Sequence, residues 1–127
     1  MNDLKHVTAP GAPQPDGSFS HAVIAPPFVY VSGQGPFDPV SGDIVGADVV
    51  GQTHKVIDNL EAILEAAGAS LADVVKVEAH LADFAFFEAY DGAYRERFAE
   101  PRPARKTVAS GLGGILVEID CIARLAP

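Results

Sequence analysis

Two residues near the end of the chain have side chains suited to handling a small carboxylic acid. Arg105 follows Pro101-Arg102-Pro103-Ala104. Proline fixes its own φ and pushes the residue before it toward extended backbone, so a strand that begins there presents its first side chains from a stiff base. A guanidinium held in this way can grip a planar carboxylate through two parallel hydrogen bonds. The alternative is an ion pair with Glu118 or Asp120. Asp120 lies inside Leu116-Val117-Glu118-Ile119-Asp120-Cys121-Ile122-Ala123, an otherwise strand-like run in which aspartate is disfavoured. It reads either as a general base for water or as the partner of an arginine.

Other reactive types are less organised. His6, His21, His54 and His80 are scattered, without the His/Cys spacing of a metal site, so no metal and no cofactor are expected. Cys121 falls on the apolar side of its strand and reads as a buried, inert thiol. Ser110-Gly111-Leu112-Gly113-Gly114 is not a nucleophile elbow, because Val108 stands where the first glycine is required, and no phosphate-loop lysine follows. It reads as a hairpin loop between two strands. Ser32-Gly33-Gln34-Gly35 is also structural in the first instance, although its glycines let backbone N–H groups approach a ligand closely.

The elements that must position these residues follow from periodicity. Residues 1–16 hold Pro10, Gly11, Pro13 and Pro15 and read as an irregular arm. Ser20 to Ile24 and Phe28 to Ser32 are strand candidates, separated by Ala25-Pro26-Pro27 in a bent or loosely closed hairpin. Turn residues fill Gly33 to Gly46. From about Asp48 to Ala67, Val49, Thr53, Val56, Ile57, Leu60, Ile63 and Leu64 recur at helical spacing, and Gly68 stops the helix. Between Asp73 and Leu81, Val75, Val77, Ala79 and Leu81 alternate with Lys76, Glu78 and His80, which predicts a strand. Asp83 is placed to cap a second helix that runs to about Phe98 before the prolines. The order predicts an α+β domain of two layers, with two helices on one face of a mixed sheet. The other face would carry Lys76, Glu78, His80, Arg105, Glu118, Asp120 and Arg124 beside Phe28, Tyr30, Leu116 and Ile122. It is either solvated or an interface between copies of the chain.

With 127 residues, 48% of them hydrophobic and 20% charged, one domain spanning residues 1–127 is expected. A net charge of −8 repels phosphate backbones, which argues against nucleic acid as a partner. The single cysteine rules out an internal disulfide and fits a reducing compartment. No signal sequence or spanning segment is read, so the expected location is the cytoplasm, with no membrane partner.

Taken together the segments resemble the Rid (YjgF-like) family of reactive-intermediate deaminases. The resemblance runs from about Gly17 to Arg124 and rests on Gly17-Ser18-Phe19-Ser20-His21-Ala22-Val23, Val31-Ser32-Gly33-Gln34, Asp38-Pro39-Val40-Ser41-Gly42, Asn59-Leu60, Ala66-Ala67-Gly68, Pro103-Ala104-Arg105 and Val117 to Ala123. It implies a chorismate-mutase-like α+β fold, a homotrimer with sites in clefts between subunits, and hydrolysis of enamines and imines of the 2-aminoacrylate type to 2-keto acids and ammonia. It also implies that Arg105 holds the substrate carboxylate, that Asp120 stands where a glutamate orients water, and that Ser32 and Gly33 line the pocket. The chain departs from the family pattern at Phe19 (usually tyrosine), Thr107 (often cysteine), Asp120 (one methylene shorter than glutamate) and Asp91 (where asparagine precedes Tyr94 by three residues). Phe19, Asp91 and Thr107 are therefore candidate substrate-binding positions. The alternatives are a deaminase for a larger enamine such as 2-aminomuconate, or a non-catalytic binder of metabolites.

Overall fold

The computed structural model describes residues 3–127. Its strands are β1 (Lys5–Val7), β2 (Ala22–Ala25), β3 (Phe28–Gln34), β4 (Val74–Leu81), β5 (Ala104–Ala109) and β6 (Val117–Arg124), and its helices are α1 (Val49–Ala66) and α2 (Phe87–Arg97). The strands form one sheet in the order β1-β2-β3-β6-β4-β5. Every neighbouring pair is antiparallel except β4 and β5, which are parallel. A parallel pair needs a crossover, and α2 supplies it. Both helices pack on the same side of the sheet, as the alternation predicted.

The local signals explain the boundaries. Asp48 starts α1 by accepting the Gly51 N–H at 2.9 Å, and Gly68 ends it at φ 87°, where a side chain would be strained. Asp83 does cap a helical segment, by accepting the Ala85 N–H at 2.8 Å. That segment is a single 3-10 turn, Phe84–Phe86, which leads directly into α2. The core lies between the layers: Val29, Val31, Val77, Ala79, Leu81, Val117, Ile119 and Cys121 from the sheet meet Val56, Ile57, Leu60 and Leu64 of α1 and Tyr90 and Tyr94 of α2.

Several expectations need correction. The arm is not wholly irregular, because residues 5–7 pair with β2 as an edge strand. Buried His21 also pins the arm: its Nδ1 accepts the Ala9 N–H at 2.8 Å, and its Nε2 donates to the Pro13 carbonyl at 2.7 Å. The β2–β3 hairpin is tightly closed. Ala25 lies opposite Phe28, so both prolines fall in the loop, where no ladder N–H is needed. In β4 the register slips between Val74 and Lys76, so Val74 enters the core and Val75 is 44% exposed. The glycine-rich segment is not a hairpin loop, because β4 lies between β5 and β6. It passes over the end of β4, where Ser110 N–H donates to Leu81 O and Ala82 N–H to Leu116 O.

Asn59 links the core to the loop after β3. Its buried Nδ2 donates to the carbonyls of Gly35 and Phe37, each at 3.0 Å. Asn59→Asp keeps the shape, removes both donors and buries a charge. Each orphaned group costs about 1–3 kcal/mol, and the charge adds to that. We expect a loss of roughly 3–5 kcal/mol at neutral pH by denaturant titration, shrinking in acid as a protonated carboxyl regains one donor. A loss under 1 kcal/mol at neutral pH would remove this residue from the support of the site.

Candidate functional site

The residues singled out by their chemistry fall into three groups. The first lines a cavity of about 830 Å³ between the arm, the end of β3, the 37–42 loop and the glycine-rich segment. Phe19, Ser32 and Gly33 are there, with Gln14, Phe37, Ile115 and Glu118. The Ser32 hydroxyl donates to the Ser20 carbonyl at 2.6 Å, which leaves its lone pairs free to accept. Gly33 lets the Glu118 carboxylate lie close against the backbone: a Cβ there would lie 2.5 Å from Glu118 Oε1 and would push that side chain aside. The floor of the 37–42 loop is fixed by Asp38, whose Oδ1 accepts the N–H groups of Val40 and Ser41 at 2.8 and 2.9 Å. Those two backbone donors hold the Asp38 carboxyl below the usual carboxylate range. Glu118 was not singled out as a site residue. Its place on the same strand face as Asp120, two residues away, was the available signal.

The second group surrounds Arg105. In register with Val77 of β4, Arg105 points to the helix side of the sheet, not to the open face where the alternation placed it. Its partner is neither Glu118 nor Asp120 but Asp91 of α2, whose Oδ1 accepts from Nη1 at 2.7 Å. Asp91 Oδ2 accepts from Arg95 at 3.0 Å, so one carboxylate serves two guanidiniums. The Arg105 guanidinium carbon lies 4.6 Å from the ring centre of Tyr94, 5.4 Å from Tyr90 and 5.5 Å from Phe87. Burial opposes its charge, but the hydrogen bond to Asp91 and the two tyrosines outweigh that, so its pKa is held above the ordinary arginine value. Thr107 Oγ1 is hydrogen-bonded to the Tyr90 hydroxyl at 3.1 Å. Burial raises the pKa of both tyrosines, and the Tyr94 hydroxyl is buried without a hydrogen-bond partner among the described residues.

The third group lies on the open face. Asp120 is opposite Glu78, and His80 is opposite Glu118. Glu78, His80 and Asp120 each bring a carboxylate oxygen or ring nitrogen within 4.8 Å of the other two. That is a grouping of metal-capable types which linear spacing did not announce, because it is made by strand pairing. His80 Nδ1 is 3.0 Å from the Ser110 hydroxyl. Burial and then the Glu78 charge raise the pKa of Asp120 above the usual carboxylate range. Cys121 behaves as expected: it is buried, and burial followed by the Asp120 charge pushes its thiol up to about 12. Arg105 and Asp120 therefore leave opposite faces of one sheet. Among the described residues, no helix is long and apolar enough to cross a membrane.

Comparison with known proteins bears on the family and the fold. The model of the Endoribonuclease L-PSP family matches residues 9–125. A RutC family protein of Pyrococcus horikoshii is 46% identical over 114 residues, 88% of this chain and 90% of its own. A protein of Capra hircus named 2-iminobutanoate/2-iminopropanoate deaminase is 38% identical, over 91% of this chain and 86% of its own. The solved structure of E. coli TdcF with bound serine superposes with a TM-score of 0.90 at 31% identity, covering 96% of this chain and 99% of that one. The two helices on a mixed six-stranded sheet are thus the shared fold of these proteins, and the chain belongs to the Endoribonuclease L-PSP (YjgF/Rid) family.

Proposed function

We propose that this chain is a hydrolytic deaminase of reactive enamines and imines of the 2-aminoacrylate type, releasing 2-keto acids and ammonia. One observation carries the reading. Arg105 and Arg95 share the single carboxylate of Asp91, which leaves surplus positive charge on a guanidinium fixed by three aromatic rings. Only Nη1 of Arg105 is engaged by Asp91, so the rest of the fork remains for a substrate carboxylate. The deaminase names carried by relatives support the same chemistry. The chain's charge of −8 works against an RNA substrate.

In this reading Arg105 anchors the carboxylate and Asp120 orients the water. Ser32, Gly33 and Phe19 shape the pocket, while Asp91 and Thr107 hold the arginine side of it. No cofactor is required, because imines hydrolyse readily and positioning supplies much of the gain. Since Arg105 and Asp120 face opposite sides of the sheet, a small substrate meets both only if they come from different copies. A homotrimer satisfies this, with the open sheet face, where Tyr30 is 46% exposed, turned toward a neighbour. We place it in the cytoplasm, where the free thiol of Cys121 stays reduced.

Light scattering should give about three times the 13.3 kDa chain mass. Charge-assisted hydrogen bonds are worth about 1.5–3 kcal/mol, so Arg105→Ala should lose roughly 10- to 150-fold in kcat/KM per lost bond. Arg105→Lys should recover little, since an ammonium lacks the fork. The assay couples an amino-acid dehydratase to trapping of the free imine by semicarbazide. If folded Arg105→Ala protein clears the imine as fast as wild type, the anchor is misassigned.

Mixing supplies a separate test of the shared site. Refolding Arg105→Ala and Asp120→Asn chains together in equal amounts should restore about a quarter of wild-type activity, by random assortment around a ring. A mixture that assembles but stays as inactive as its components would place both residues in one chain's site or in none.

A further inference from the structure

The group on the open face has a chemistry of its own. Asp120 on β6 and Glu78 on β4 are cross-strand partners, and His80 lies two residues from Glu78 on the same face of β4. Each brings one carboxylate oxygen or ring nitrogen within 4.8 Å of the other two. Strands β6 and β4 are interior to the sheet, so the backbone beneath all three residues is held by ladders on both sides. A four-coordinate zinc-type ion, with ligands at about 2.0–2.2 Å, spaces its donor atoms about 3.4 Å apart. Donors already inside 4.8 Å reach that spacing by small side-chain rotations.

Two observations beyond the grouping point to a cation. The first is the state of Asp120. Its half-buried carboxylate has neither a hydrogen bond nor an ion pair among the described residues. Carboxylates taken out of water are normally paired or bound to a metal. Burial and then the Glu78 charge raise its pKa, while His80 and Lys76 act the other way and more weakly than burial and Glu78. Lys106 stands 3.8 Å from Glu78 with both side chains exposed, a loose pair that an ion can displace. The second observation is the setting of His80. Its Nδ1 is 3.0 Å from the Ser110 hydroxyl, so Nε2 is the ring atom left for a ligand. A histidine that binds metal ordinarily has its other ring nitrogen held in this way. Ser110 belongs to the glycine-rich segment, so the support comes from outside the three residues.

We propose that Glu78, His80 and Asp120 form a binding site for a zinc-type divalent cation, held by one imidazole nitrogen and two carboxylate oxygens with water in the fourth position. The donor set selects the class of ion. Calcium and magnesium favour larger shells made of oxygen, whereas a mixed nitrogen and oxygen set suits zinc and its first-row neighbours. Two carboxylates also balance the charge of a divalent ion on a half-buried face. Linear spacing hid the site, because a single histidine takes part and its partners arrive by strand pairing. The site does not depend on the deaminase reading, but it bears on it. An ion on Asp120 takes that carboxylate away from the water it orients, so the ion acts as an inhibitor and not as a cofactor.

The test titrates zinc chloride into untagged, chelator-treated protein by isothermal calorimetry, with circular dichroism confirming the fold of each variant. Wild type should take up one zinc ion per chain. His80→Gln should bind at least about tenfold more weakly, and Ser110→Ala, which removes only the support of the imidazole, about tenfold more weakly. His54→Gln should bind like wild type; it controls for the histidine that lies 3.3 Å from Glu96. Calcium chloride should give no comparable heat. Anomalous scattering from zinc-soaked crystals locates the ion without any variant, and should place it against His80 Nε2 and Asp120. Failure of wild type to saturate below about 1 mM zinc, an affinity that His80→Gln retains, or a zinc ion held at His54 alone each overturns the site. Zinc that binds here and inhibits imine hydrolysis, with His80→Gln spared, supports the site and the role of Asp120 together. Zinc that binds here without inhibiting leaves the site standing and removes Asp120 from the water-orienting role. A wild type inactive on every enamine tested removes the deaminase reading, and the binding measurements still decide the site.

Discussion

The constraint on which the rest depends is the parallel pairing of β5 with β4. Two parallel neighbours cannot be joined by a tight turn, so the chain must cross the sheet between them, and α2 is that crossing. The crossing puts a helix directly over the edge strand. Phe87, Tyr90, Asp91 and Tyr94 fall on one face of α2 at helical i, i+3, i+4, i+7 spacing, and all of them meet the first turned-in side chain of β5, which is Arg105. The guanidinium is therefore held by topology. Its aromatic surroundings are rigid because Phe84, Phe87, Tyr90, Tyr94 and Phe98 form a continuous ladder of ring contacts along the helix.

The same pairing separates the chemistry by face. Residues of β5 and β6 in register with Val77 and Ala79 look toward the helices, and those in register with Glu78 and His80 look away. Arg105 and Thr107 belong to the first set, Asp120 and Glu118 to the second. The cationic anchor and the carboxylates thus never neutralise one another within a chain. Had the arginine stood one residue later, where Lys106 is, it would have been beside Glu78 on the open face, in reach of an internal ion pair. The separation leaves Arg105 and Asp120 with different neighbours, Asp91 for the one and Glu78 for the other.

Much of the architecture was legible because it depends on periodicity and caps. Helix α1 declared itself through its apolar spacing, Asp48 and Gly68. Strand β6 declared itself through four alternate buried residues, Val117, Ile119, Cys121 and Ala123. What was not legible depends on pairing. The bulge that exposes Val75 arises from register against β6, and no feature of the Asp73–Leu81 alternation reveals it. Strand β1 is too short for its own pattern and exists because β2 offers an open edge. The face of Arg105 was misjudged because Pro103 fixes where the strand starts but not which residue points inward. The grouping of Glu78 and His80 with Asp120 needed the β4–β6 register, since the residues are far apart in sequence.

Charge distribution ties these points to ligand choice. The chain carries a net charge of −8, so an anionic substrate approaching at random is repelled. Yet Arg95, Arg97, Arg102, Arg105 and Lys106 fall in one short stretch that runs from the end of α2 into β5. Arg97 is committed to Asp58 and Glu61 of α1, Arg102 pairs with Glu100, and Lys106 approaches Glu78. Among the ion pairs of the described residues, Asp91 answers both Arg95 and Arg105, so where α2 meets β5 two guanidiniums share one carboxylate. Because the aromatic rings exclude water from one side of the Arg105 guanidinium, its field is screened less than that of an exposed lysine and acts over the last few ångströms of approach. A fully neutralised arginine would provide packing without attraction, and a free one on a mobile stem would attract any anion. One shared aspartate gives a fixed cation with capacity to spare, which is what the proposed grip on a small planar carboxylate requires.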